Sequence, residues 1–253
     1  MNEWIEERER SLREFFGLRA GTELIPRGAA EGFEMPEQVS AHLARFNIEW
    51  HVIPTEESVS ADTDDYRARL YPTARKLKRH EYQHLSHFRA LTHGHRRHQG
   101  RIIGVEATRK PRYLPGNQQF YGTPYGFEAD TDPFAPYMGR AGFVSGTRYG
   151  HNYPAMRRFV EAVTEDWLAN RLMPRGFRVT ICPPLVFNLV GTIFHPEWSE
   201  AESLELGFYR DEEGSAHCYA VGSNAPGDFS FIRGIETDSD WTLLGFRVAL
   251  VPE

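Results

Sequence analysis

The stretch GFRVTICPPLVFNLVGTIF, residues 176–194, decides how the chain divides. Before it, Met156, Phe159, Val160, Val163, Trp167, Leu168 and Leu172 fall on one apolar stripe behind Pro154. That spacing predicts a proline-opened amphipathic helix over residues 154–172. From Gly176 the period changes. Residues 177–182 and 185–194 are rich in β-branched and aromatic residues and are punctuated by prolines, which predicts two strands. Further strands are predicted at 204–209, 216–221 and 241–251, with Asp211-Glu-Glu-Gly214 as a hairpin turn. The octapeptides 176–183 and 245–252 both open Gly-Phe-Arg-Val and close on proline, the pattern of a repeated strand-to-turn unit.

Towards the N-terminus helical patterns dominate. Trp4, Ile5, Leu12, Phe15 and Phe16 follow Asn2, a capping residue, and Pro36 opens a second helix through Val39, Leu43 and Phe46. Ile48, Trp50 and Val52 alternate with polar residues, the signature of a half-buried strand. A basic helix is predicted over 74–92 and a strand over 102–107. Residues 111–153 are Gly-, Pro- and aromatic-rich and read as an ordered loop over a site or interface. The expected fold is α+β. Its N-terminal two thirds are helical and pack on a mainly antiparallel C-terminal sheet, with residues 1–253 as one domain.

The 253 residues are 40% hydrophobic and 25% charged, a globular composition. Two cysteines exclude a disulfide framework. No apolar run is long enough to cross a bilayer, and Met1-Asn2-Glu3-Trp4 lacks a signal-peptide layout, so a cytoplasmic protein is expected. The net charge of −6 hides an asymmetry. Residues 67–112 hold 13 of the 29 Lys and Arg with two acids, leaving 16 basic residues against 33 acids elsewhere. A basic patch on an acidic body is thereby expected.

His80-Glu81-Tyr82-Gln83-His84 has the His-Glu-x-x-His form, in which two imidazoles one helical turn apart hold a metal and the glutamate polarises water. His87 continues the row at i+7. The fourth ligand would come from Glu106, His151 or His195, and the ion would be zinc or iron. His195, in Phe194-His-Pro-Glu197, also reads as a loop-edge histidine satisfying backbone groups. Arg96 and Arg97, with Arg101, form an anion clamp, and Tyr121 and Tyr125 offer ring faces beside it. Neither a phosphate-cradling glycine loop nor a Gly-x-Ser-x-Gly elbow is present in the sequence.

The segment His80–His84 resembles the iron-binding His-Glu-x-Gln-His segment of the ergothioneine-type sulfoxide synthases, which implies iron there. Asp238-Ser-Asp-Trp241 through Gly245-Phe-Arg-Val-Ala249 is similar to the closing strand of their formylglycine-generating-enzyme-like domain. Gly142-Phe-Val-Ser-Gly-Thr147 resembles the serine-bearing strand of ADP-ribosyltransferases, with Glu200-Ala-Glu202 as the Glu-x-Glu, although Gly146 departs from that pattern. These fragments are short and assign the chain to no family.

The leading expectation is a metal-assisted hydrolase acting on an anionic substrate, with Glu81 as general base and His80, His84, His87 and Glu106 as ligands. The alternatives are a nucleic-acid or polyanion-binding protein without chemistry, and a structural subunit of a homo-oligomer.

Overall fold

The structure, a computed structural model, describes residues 3–26, 33, 35–55, 100–108, 112–114, 118–120, 132–143, 148, 150–200, 204–210, 216–222, 231–238 and 244–253. The predicted basic helix at 74–92 lies outside them.

Helix α1 spans Glu3–Phe16 and α2 spans Glu37–Arg45, each burying one apolar face. Strand β1 (Ile48–Ile53) pairs antiparallel with β2 (Arg101–Glu106). β3 (Arg112–Leu114) and β4 (Gln118–Phe120) form a small antiparallel pair. Helix α3 (Ala135–Met138) leads to α4 (Tyr153–Ala169). At the start of α4, Asn152 Oδ1 accepts the Ala155 N–H at 3.1 Å, so the cap that stops fraying is the residue before the proline-bearing first turn.

β5 spans Phe177–Ile181, α5 spans Pro184–Ile193, and a short 3₁₀ turn covers Pro196–Glu200. β6 (Leu204–Arg210), β7 (Ala216–Gly222), β8 (Phe231–Ile235), β9 (Leu244–Phe246) and β10 (Val248–Pro252) complete the chain.

The expected division into a helical N-terminal two thirds and a C-terminal sheet is overturned. One four-stranded antiparallel sheet has the order β1-β2-β10-β5, so half of it comes from the N-terminal region. The other has the order β8-β7-β6-β9, with β6 and β9 parallel. The predicted strand at 241–251 is broken at Arg247, where the chain passes from one sheet to the other. The two echoing octapeptides lie side by side, with Val248 opposite Ile181 and Pro252 opposite Phe177.

The predicted strand at 185–194 is also wrong. That run is helix α5, and Pro184 through Gly191 are all buried. Proline at the first helical position presets φ, and a helix satisfies its own backbone groups where no sheet edge is offered. A wholly buried segment carries no amphipathic period, so strand and helix look alike in its sequence.

Two apolar clusters flank the first sheet. One joins α1, α5, Trp198, Ile103, Val105, Ala249 and Val251, and the other joins α2, α3, α4, Ile48, Val248 and Leu250. The polar residues of interest stand on the first of these faces.

Candidate metal centre

The β1–β2 register sets Glu49 opposite Val105 and His51 opposite Ile103. Cross-strand partners share a face, so both side chains stand on the side of the sheet that α1 covers and the C-terminal end of α5 approaches. His51 is 0% exposed. At the end of α5 the winding persists one residue beyond the cap, since the His195 N–H donates to Val190 O at 3.1 Å. This brings His195 over β1.

Glu49, His51 and His195 each offer a ligand atom, and these atoms lie within 4.8 Å of one another. His195 Nε2 is 3.3 Å and His51 Nε2 4.0 Å from Glu49 Oε2. Ligands around a tetrahedral ion with bonds of about 2.1 Å stand about 3.4 Å apart, close to these separations. His195 Nδ1 lies 2.9 Å from Glu197 Oε1 and Nε2 lies 3.3 Å from Glu49 Oε2; with Nδ1–H donated to Glu197, an ion between Nε2 and Glu49 would take the place of the hydrogen bond there. Arg8 Nη2 donates to Glu49 Oε2 at 2.8 Å, and its guanidinium stands 4.6 Å from the Phe194 ring centre. The hydrogen bond with His195, with help from Arg8, holds the Glu49 carboxyl below its ordinary range despite partial burial.

Burial, with Arg8 and His195 adding to it, holds His51 well below the usual histidine range, so its ring is neutral and keeps a lone pair for a metal. Neither of its nitrogens has a hydrogen-bond partner. The His195 ring stacks on Trp198 at 4.7 Å with 6° between planes, and Trp198 carries the Arg247 guanidinium 3.7 Å from its ring centre. Of the seven partnerless buried side-chain polar atoms among the described residues, six belong to His51, Asn188, Thr192 and Trp198. Each costs about 1–3 kcal/mol if left so, a large sum against the usual stability of a domain of about 5–15 kcal/mol.

A second buried polar cluster is built differently. Arg148 Nη1 and Nη2 clasp the two Glu106 oxygens at 2.7 and 2.6 Å, Arg148 Nε donates to Asp132, and the Val248 N–H donates to Glu106 Oε2 at 3.1 Å. Arg247 is bidentate to Glu205 at 3.0 and 2.7 Å and donates to the carbonyls of Glu106 and Thr108. Burial pushes Glu106 up, but Arg148, Arg247 and the Val248 amide outweigh it and hold the carboxyl below its ordinary range. For Asp132, burial prevails over Arg148 and, with the Glu106 charge, raises the carboxyl.

The sequence-derived residues fall as follows. His80, Glu81, His84, His87, Arg96, Arg97, Tyr121 and Tyr125 lie outside the described residues. Glu106 faces Arg148, on the side of β2 away from the Glu49–His51–His195 group. Arg101 opens β2, exposed, opposite Ile53, and shares the face of His51 and Glu49. His195, one of the three expected sources of a further ligand, stands in the group, whereas Glu49 and His51 were read only as the polar positions of a strand. A carboxylate and an imidazole two apart on one strand face, with a second imidazole elsewhere, was the available signal. Burial pushes both thiols up, Cys218 to about 12, so neither is a nucleophilic thiolate at neutral pH. Among the described residues no helix is long and apolar enough to cross a membrane.

No protein-family model, curated protein or solved structure matches the chain.

Proposed function

We propose that the protein is a metal-dependent enzyme, a hydrolase by reaction class, whose ion is held by Glu49, His51 and His195. The observation that carries this reading is His51, fully buried, neutral, with two partnerless nitrogens and a carboxylate and a second imidazole beside it. Two histidines and one carboxylate suit zinc or iron(II). Three protein ligands leave a coordination position for water, which a divalent ion makes nucleophilic at neutral pH. Glu197 sets the His195 tautomer, and the stack on Trp198 sets its ring plane. Arg8, paired with Glu49 at 2.8 Å, would supply a fixed positive charge near the ion, of the kind that offsets the negative charge developing in hydrolysis. Glu49 is 39% exposed, which leaves one side of the group open to solvent.

The test is metal analysis by plasma mass spectrometry of tag-free protein and three variants. About one ion per chain is expected in the wild type and in the His80→Ala, His84→Ala double variant. Glu49→Gln, conservative and half-exposed, and His51→Ala are expected to lose it. A metal that leaves only with His80 and His84, or a metal-free wild type, overturns the proposal.

A further inference from the structure

Helix α5 is apolar except at two places, Asn188 and Thr192, which stand one turn apart. His195 follows at i+7 from Asn188, so the three lie along one side of the helix and its continuation. Both amide atoms of Asn188 and the hydroxyl of Thr192 are buried without a hydrogen-bond partner. The threonine is informative by contrast. On α4, Thr164 takes the usual recourse of a helical hydroxyl and donates to the Val160 carbonyl at 2.7 Å. Thr192 makes no such bond. Two further orphaned groups are His51, itself a candidate metal ligand on β1, and Trp198 Nε1 on the 3₁₀ turn, whose ring stacks on that of His195. The His51 ring is 5.0 Å from that of Phe194, two residues beyond Thr192. Buried polar atoms that the chain itself does not satisfy are met by water or by a ligand.

We infer that the Asn188–Thr192 side of α5 is the wall of a binding site for a small molecule bearing an uncharged polar group, an amide or an alcohol, presented to the metal group at Glu49, His51 and His195. The inference rests on the metal reading for its catalytic meaning, but not for the binding itself. The chemistry of the wall defines the ligand. Asn188 offers a donor and an acceptor, Thr192 offers both on one atom, and Trp198 offers a donor. None carries a formal charge, and the nearby charged groups Glu49, Arg8 and Glu197 are already engaged with one another or with His195. In the metal-free protein an ion at Asn188 and Thr192 would lose its hydration without a counter-charge on the wall itself, whereas an amide or alcohol exchanges hydrogen bonds one for one.

The experiment measures acetamide binding by ligand-observed NMR, with and without zinc, to wild type, Asn188→Leu and Thr192→Val; acetate serves as the charged control. Without zinc, acetamide is expected to bind the wild type at least tenfold more tightly than acetate. Asn188→Leu should weaken it tenfold or more and leave the zinc content unchanged. Thr192→Val, isosteric and compatible with the helix, should weaken it by a smaller factor and guards against a variant that fails to fold. Equal acetamide binding in wild type and variants, no acetamide binding to wild type, or a preference for acetate without zinc overturns the inference. Because the zinc-free arm stands alone, loss of zinc binding with retained acetamide binding would sink only the metal reading.

Discussion

The two buried polar clusters of this protein follow opposite rules. Around Arg148 and Arg247 every guanidinium nitrogen and every carboxylate oxygen has a partner, and the five charged residues are almost wholly removed from solvent. On β1, α5 and the 3₁₀ turn a neutral imidazole, an amide, a hydroxyl and an indole N–H are buried with nothing to bond, while the charged residues Glu49 and Arg8 reach solvent. A closed set of ion pairs is a fastening, since nothing is left over to bind anything else. A set with unspent donors, acceptors and lone pairs costs stability and is the kind of arrangement that persists where function requires it. The contact of Arg247 with Trp198, and of Trp198 with His195, joins the two, so the fastening also holds a ring plane of the candidate metal group.

This contrast is broken most directly by removing one cation from each side. Arg148→Met leaves Glu106 and Asp132 charged and buried, and is expected to lower the unfolding free energy by about 3–5 kcal/mol. Arg8→Met removes a half-exposed pair and should cost under about 1 kcal/mol. Urea unfolding of both variants checks the difference. Similar losses would show that the two clusters serve the same purpose.

A smaller effect concerns pH. Glu106 is held below its ordinary value of 4.5, so its stabilisation is fully present above that pH and is lost as the pH falls through its folded value. Asp132 is raised from 3.8, so its contribution is present below that pH and lost as the pH rises. The two oppose one another. Asp132→Asn removes the second, and its melting temperature should fall more steeply with acid than that of the wild type. An unchanged acid slope would contradict the assigned directions.

Much of the secondary structure was legible. The apolar stripes of α1, α2 and α4, the alternation in β1 and the β6–β7 hairpin all lie where the patterns put them. The misread helix has a physical reason. Residues 185–194 are buried on all sides as α5, and burial of that kind erases the period that separates helix from strand; only Pro183-Pro184 ahead of the run pointed to a helix start. Misreading α5 also hid where its C-terminal end lies. Glu49 and His51 then read as the solvent side of β1, when His51 is fully buried beside Phe194 and His195. The ion pairs of Arg148 and Arg247 were invisible for another reason. Their glutamate partners, Glu106 and Glu205, each stand 42 residues away in sequence, beyond the reach of local spacing.

The central claim is that Glu49, His51 and His195 hold one ion. Crystals grown with zinc and measured at the zinc absorption edge test it most directly. The account predicts an anomalous peak at about 2.0–2.2 Å from one nitrogen of His51, Nε2 of His195 and an oxygen of Glu49. A peak on His80 and His84 alone, or a clear map with none at this triad, would contradict it.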